Sequence, residues 1–75
     1  MIAYILMQLR ECKESIVLDY IKSLDEVKDA AILFGEWDLL AKVQVENSDS
    51  LSTFLLEKIR QNPDIRLTSS LIVAK

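Results

Sequence analysis

The 75-residue chain has no histidine and only one cysteine, one glycine and one proline. Each scarcity closes off a class of chemistry. Without histidine there is no Ser-His or Cys-His pair to activate a nucleophile, so the chain is not expected to be an enzyme. A lone cysteine, Cys12, forms no disulfide within the chain and builds no cysteine metal cage. Metal binding would fall to carboxylates alone, and no calcium-loop pattern is present; no metal or other cofactor is expected. One glycine and one proline against 51% hydrophobic residues exclude a disordered tail or a flexible linker. Basic residues are the minority: nine Lys and Arg face twelve Asp and Glu, for a net charge of −3 and an isoelectric point near 4.8. No basic cluster along the chain exceeds isolated pairs such as Lys58 and Arg60, so direct nucleic-acid binding is not expected. The longest apolar run, Met1–Met7, is far shorter than the ~20 residues of a membrane span. It also lacks the charged leader and cleavage site of a signal peptide, which makes the cytoplasm the expected location and a membrane an unexpected partner.

What remains is a single domain over residues 1–75 with an excess of apolar side chains. A chain of this size buries only about 60–65% of the surface it exposes when unfolded, and self-association is the expected remedy. Met1–Leu9 is apolar at both alternating sets of positions and reads as a strand covered on both faces. From Lys13 to Leu24 the period changes, with Ile16, Val17, Tyr20, Ile21 and Leu24 on one helical stripe. Val27–Phe34 reads as a second strand and Leu39–Glu46 as a third, where Ala41, Val43 and Val45 alternate with Lys42, Gln44 and Glu46. Gly35-Glu36-Trp37-Asp38 joins them as a hairpin. Asn47 to Ser50 offers helix caps, and Leu51, Phe54, Leu55 and Ile59 form the next apolar stripe. Asn62-Pro63 stops it, and Ile65–Lys75 closes the chain as a strand. The order βαββαβ predicts a ferredoxin-like α+β fold: a four-stranded antiparallel sheet with two helices on one face.

In that plan the second face of the sheet lies bare. Both alternating sets of the first strand are apolar, Ile2, Tyr4 and Leu6 on one side and Ala3, Ile5, Met7 and Leu9 on the other. The last strand repeats this, with Leu67 and Leu71 in one register and Ile72 and Ala74 in the other. Whichever set faces away from the helices makes a large apolar patch, and a sheet-on-sheet homodimer would cover it. Other users of this topology are poor matches. The third strand has no aromatic residue for an RNA-recognition motif. Only Cys12 stands where heavy-metal chaperones carry a cysteine pair. Arg10-Glu11-Cys12 lacks the glycine of an ACT-type ligand loop. Ser48, Ser50, Ser52 and Thr53 sit where caps belong, and Cys12, although flanked by Arg10 and Lys13, reads as a small hydrophobe.

Two motifs stand out at a set distance. The second strand ends in Gly35-Glu36-Trp37-Asp38, a Gly-x-aromatic-Asp pattern. A strand and a helix later comes Pro-x-(Val/Ile)-x-x-Thr-x-(Thr/Ser), matched by Pro63, Ile65, Thr68 and Ser70 and followed by apolar Ile72 and Val73. From about Val27 to Lys75 the chain resembles the effector-binding domain of the Lrp/AsnC family, the RAM domain, and the βαββαβ order extends the likeness to the whole chain. The resemblance implies sheet-to-sheet dimers assembling into rings, with free amino acids bound between dimers near the turn after the second strand. In that family the domain usually follows a helix-turn-helix segment. This sequence starts directly in its first strand and resembles the stand-alone RAM proteins, which would act through full-length Lrp/AsnC-type regulators. Phe34 departs from the pattern, since many members carry a small hydroxyl residue before the glycine.

The same residues fit an amino acid on chemical grounds. Asp38, with Glu36 second, can pair with an ammonium group. Backbone N–H groups around Gly35 can receive a carboxylate, because no Cβ blocks the approach. Leu33, Trp37 and Ile72 can supply an apolar wall, with Thr68 and Ser70 orienting polar atoms, and Phe34 would restrict the space. A plain hairpin turn, with Gly35 at positive φ, accounts for the glycine equally well. The reading is therefore an amino-acid-binding regulatory module. Its rivals are a structural partner of full-length regulators with no ligand of its own, and a small dimeric α/β-barrel enzyme.

Overall fold

Alternating apolar residues along the first strand set the architecture. In the computed structural model, which describes residues 1–75, β1 (Ile2–Leu9) lies in the middle of the sheet. Ala3, Ile5 and Met7 are fully buried beneath the helices, whereas Ile2, Tyr4 and Leu6 on the other side are only partly covered. The remaining elements follow as α1 (Glu14–Lys22), β2 (Val27–Ile32), β3 (Leu39–Gln44), α2 (Ser48–Phe54) and β4 (Ile65–Ile72). Strand order is β2-β3-β1-β4, and every pairing is antiparallel. This is the ferredoxin-like βαββαβ plan expected from the sequence.

The core is made entirely of apolar side chains. Ala3, Ile5 and Met7 of β1, Leu39, Ala41 and Val43 of β3, and Ala30 of β2 meet Val17 and Ile21 of α1 and Leu51, Phe54 and Ile59 of the second helix. The stripe on α1 sits differently from its predicted position. Val17, Ile21 and Leu24 face inward with Leu18, while Ile16 is 66% exposed and Tyr20 stands at the rim. Tyr20 is nonetheless tethered, its hydroxyl donating to the Lys58 carbonyl oxygen at 2.7 Å. A phenol that is half apolar and half polar suits such a boundary.

The second helix begins as predicted, with the Asn47 side chain accepting from the Ser50 N–H at 2.9 Å. It then widens into a π-helical turn over Leu55–Ile59, where the Arg60 N–H donates to the Leu55 carbonyl at 2.8 Å. The physical reason lies in the spacing. Phe54 and Ile59 are five residues apart, out of phase on an α-helix but aligned on an i→i+5 turn. The turn lets both enter the core and turns Leu56 out to solvent.

Both outer strands are shorter than their apolar runs. β2 ends at Ile32 and β4 at Ile72, because Leu33 and Phe34 leave the ladder for the loop and the last residues pass the end of β1. β1 and β4 also slip register between Gln8 and Leu9, so that Gln8 faces Leu67 and Leu9 faces Ile65. Arg66 is the extra residue of that bulge.

Candidate functional site

The loop joining β2 to β3 spans residues 33–38 and closes on itself through the Leu33 N–H, which donates to the Asp38 carbonyl at 2.8 Å. Gly35 within it has φ +147°, and a Cβ placed there would meet nothing within 4 Å. The glycine is therefore required by backbone conformation rather than by crowding, since an L side chain rarely adopts that φ.

Asp38 fastens the loop to the end of β1. Its N–H donates to the Met7 carbonyl at 2.9 Å, and its carboxylate Oδ2 accepts from the Leu9 N–H at 2.8 Å. The Leu9 N–H lies where the β1–β4 register slips, and the carboxylate supplies it with a charge-assisted partner. Gln8 adds a second tie, its Nε2 donating to the Glu36 carbonyl at 2.8 Å. Sequence reasoning singled out Asp38 but not Gln8 or Leu9. Nothing local marks these two, because their partners lie about thirty positions away along the chain.

Leu33, Trp37 and Asp38 are half-buried, and Glu36 is exposed with its carboxylate free of any hydrogen bond within the chain. Phe34 is completely exposed. Within one chain it fills no pocket, so the expected narrowing does not arise there. Thr68 pairs with Met7, and Met7 pairs on its other side with Leu39. Thr68 thus stands about 10 Å, two strand spacings, from the end of the loop. Ser70 is opposite Ile5, and Ile72 is opposite Ala3, so both lie progressively farther down β4. One chain therefore gathers Leu33, Gly35, Glu36, Trp37 and Asp38, with Thr68 in the neighbourhood, and leaves Ser70 and Ile72 apart. None of the four surface cavities is lined by residues 33–38.

Elsewhere, no group of three Cys, Asp or Glu side chains is arranged to hold a metal ion. No helix is long and apolar enough to cross a membrane. The shortest ion pair is that of the Lys58 ammonium with the Glu26 carboxylate, at 2.9 Å. The hydrogen bond from Lys58 holds the Glu26 carboxyl below its ordinary value of 4.5, partly opposed by desolvation.

Comparison with known proteins agrees with this geometry. The profile of the Lrp/AsnC ligand binding domain matches residues 2–75. The HTH-type transcriptional regulator FL11 of Pyrococcus abyssi is 28% identical over all 75 residues, and the chain spans about half, 49%, of that relative's length. The crystal structure of FFRP-DM1 superposes with a TM-score of 0.92 at 39% identity, covering 96% of both chains. A Neisseria meningitidis transcriptional regulator in complex with L-Met superposes with a TM-score of 0.87 at 22% identity, covering 99% of this chain and 49% of that one. At that identity the likeness is one of fold.

Proposed function

Because the chain belongs to the Lrp/AsnC ligand binding domain family, whose members are domains of transcriptional regulators and not enzymes, we propose that it is an amino-acid-sensing regulatory module whose site forms only between copies of itself. The observation that carries this reading is the loop at residues 33–38. It pairs a glycine at φ +147° with a free Glu36 carboxylate, a half-buried Trp37 and a fully exposed Phe34, yet it has no cavity of its own. Phe34, with Ile32 also exposed at the end of β2, leaves apolar surface at the loop for a neighbouring copy to cover.

The sheet supports the assembly this requires. Its uncovered face carries Ile2, Tyr4, Leu6 and Leu40 at the centre and the exposed Leu67, Leu71 and Val73 toward one edge. Two such faces packed together form the dimer, and dimers meeting through their loops form a ring with the effector sites between them. In each site a neutral amino acid offers its ammonium to Glu36 and to the free oxygen of Asp38. Its carboxylate goes to backbone N–H groups beside Gly35, and its side chain to Trp37 and Leu33. Thr68, Ser70 and Ile72, which one chain does not bring to the loop, enter the site only if a neighbouring copy presents them. The output is passed to full-length regulators of the same family in the cytoplasm.

One observation favours a second reading. The Asp38 carboxylate is already engaged with Leu9, as it would be if the loop were purely structural and the chain a scaffold co-assembling with such regulators. A thermal-shift screen of the twenty amino acids separates the two. A ligand held at one hundred times its Kd adds ~2.7 kcal/mol of stability. A sensor shows this for a small set of amino acids and loses it in Glu36→Gln. A scaffold shows no shift with any of them.

A further inference from the structure

The chain contains three arginines, Arg10, Arg60 and Arg66, separated by up to 56 positions, and all three line one cavity. It measures about 300 Å³ and is completed by Ile65, Leu67 and Thr68. In a protein of net charge −3, none of these guanidinium groups has a carboxylate partner; every ion pair in the molecule uses Lys13 or Lys58 instead. Three like charges around one cavity with no counter-charge make a focused positive potential on an acidic molecule.

The arginines are also held in place. Arg10 Nε donates to the Pro63 carbonyl at 3.0 Å. Arg66 Nη2 donates to Gln8 Oε1 at 2.6 Å, and Arg66 is the extra residue of the β1–β4 bulge, a feature that redirects a side chain out of the pleat. Each of these bonds occupies one of five guanidinium N–H donors. The Arg60 side chain makes no hydrogen bond within the chain, which leaves its whole fork free. Planar forks of this kind match the paired oxygens of carboxylates and phosphates, which a lysine meets only as a point charge.

We propose that this cavity binds the oxyanion group, carboxylate or phosphate, of a small molecule, the Thr68 hydroxyl donating to an oxygen of that group while the molecule's apolar part rests on Ile65 and Leu67. The cavity shares Thr68 with the proposed effector site and Leu67 with the open face, but its three arginines belong to neither, so variants at the arginines test it apart from the 33–38 loop.

Calorimetric titration of the whole chain at low ionic strength with inorganic phosphate and, separately, with succinate tests it. Saturable binding of either anion is expected, and the tighter of the two identifies the group. Arg60→Gln, which breaks no bond within the fold, is expected to weaken binding by ~10-fold or more, and Arg66→Gln likewise. Lys22→Gln removes the same charge outside the cavity and is expected to bind as the wild type does. Absence of binding by both anions overturns the proposal. So does an equal loss in Lys22→Gln and Arg60→Gln, which would reveal a diffuse electrostatic effect.

Discussion

The two faces of the sheet draw on one set of residues and meet opposite fates. On the covered face Ala3, Ile5 and Met7 of β1 and Ala41 and Val43 of β3 have no exposed surface. On the other, Ile2, Tyr4, Leu6 and Leu40 are equally apolar yet only partly covered, and Leu71 is 56% exposed. Hydrophobicity alone does not separate the two faces. The difference is the presence of α1 and the second helix on one side and of nothing from this chain on the other. The covered face makes the fold, and the open face is the one available to the assembly proposed above.

A charge placed on each face breaks the comparison most sharply. Ile5→Asp buries a carboxylate with no cation to pair with, Ser70 of β4 being the one polar residue opposite it, and the expected cost is ~4 kcal/mol or more, enough to unfold so small a domain. Circular dichroism of the purified variant reads this directly. Leu71→Asp on the open face is expected to leave the fold and its spectrum intact and to act on association. The residue would occur twice in a two-fold interface, so dissociation should strengthen by at least about 2 kcal/mol, or ~30-fold. Sedimentation measures it. A Leu71→Asp variant that associates as the wild type does would remove the open face from the interface.

The 33–38 loop yields the next pair of effects. Asp38→Asn replaces a carboxylate that accepts from the Leu9 N–H with a neutral amide, and the loss of a charge-assisted bond is expected to cost ~1–3 kcal/mol of stability. Gly35→Ala meets no clash but is strained at φ +147°, with an expected cost of about 1 kcal/mol or somewhat more. Denaturant unfolding ranks the two. Asp38→Asn being as stable as the wild type would mean that the Leu9 bond contributes nothing, freeing the carboxylate for a ligand.

These cases show which parts of the molecule were legible in advance. Period-two alternation in β3, the two-faced β1 and the Asn47 cap are signals between near neighbours, and they led to the right topology. The glycine at Gly35 was legible because only glycine adopts its φ readily. The π-turn was half-legible: the five-residue step from Phe54 to Ile59 was visible, but its meaning depended on both side chains being core. The inward shift of Leu18 at the expense of Ile16 depends on where α1 rests on the sheet, which no local pattern encodes. The partners of Asp38, and the gathering of Arg10, Arg60 and Arg66, belong to the tertiary fold. Residues scattered along the chain reveal a shared cavity only when the register of β1 against β4 is known.

The smallest expected effect lies at the rim of the covered face, where the open face has no counterpart. Glu26 precedes β2 and meets Lys58 of the π-turn at 2.9 Å, while Tyr20 of α1 holds the carbonyl of the same lysine. The pair thus fastens three segments of the helical layer. The hydrogen bond from Lys58 is the main cause of the lowered Glu26 carboxyl and outweighs desolvation. A carboxyl lowered on folding adds stability that is fully present above its unfolded value and is lost as pH falls through the lower folded value. The Lys58 ammonium is raised above its ordinary value of 10.5 chiefly by the same bond. Its share is fully present below the unfolded value and fades as pH rises through the higher folded one. The pair is partly exposed, so salt and solvent screen it and the total is small. Wild type and Glu26→Gln are therefore expected to differ slightly in melting temperature at neutral pH and low salt. That gap should close as the solution is acidified through the range below 4.5, and it should shrink in high salt. Differential scanning calorimetry of the two proteins side by side cancels the titration of every other carboxylate. A gap that persists unchanged in acid would mean that Glu26 acts through packing rather than through its charge.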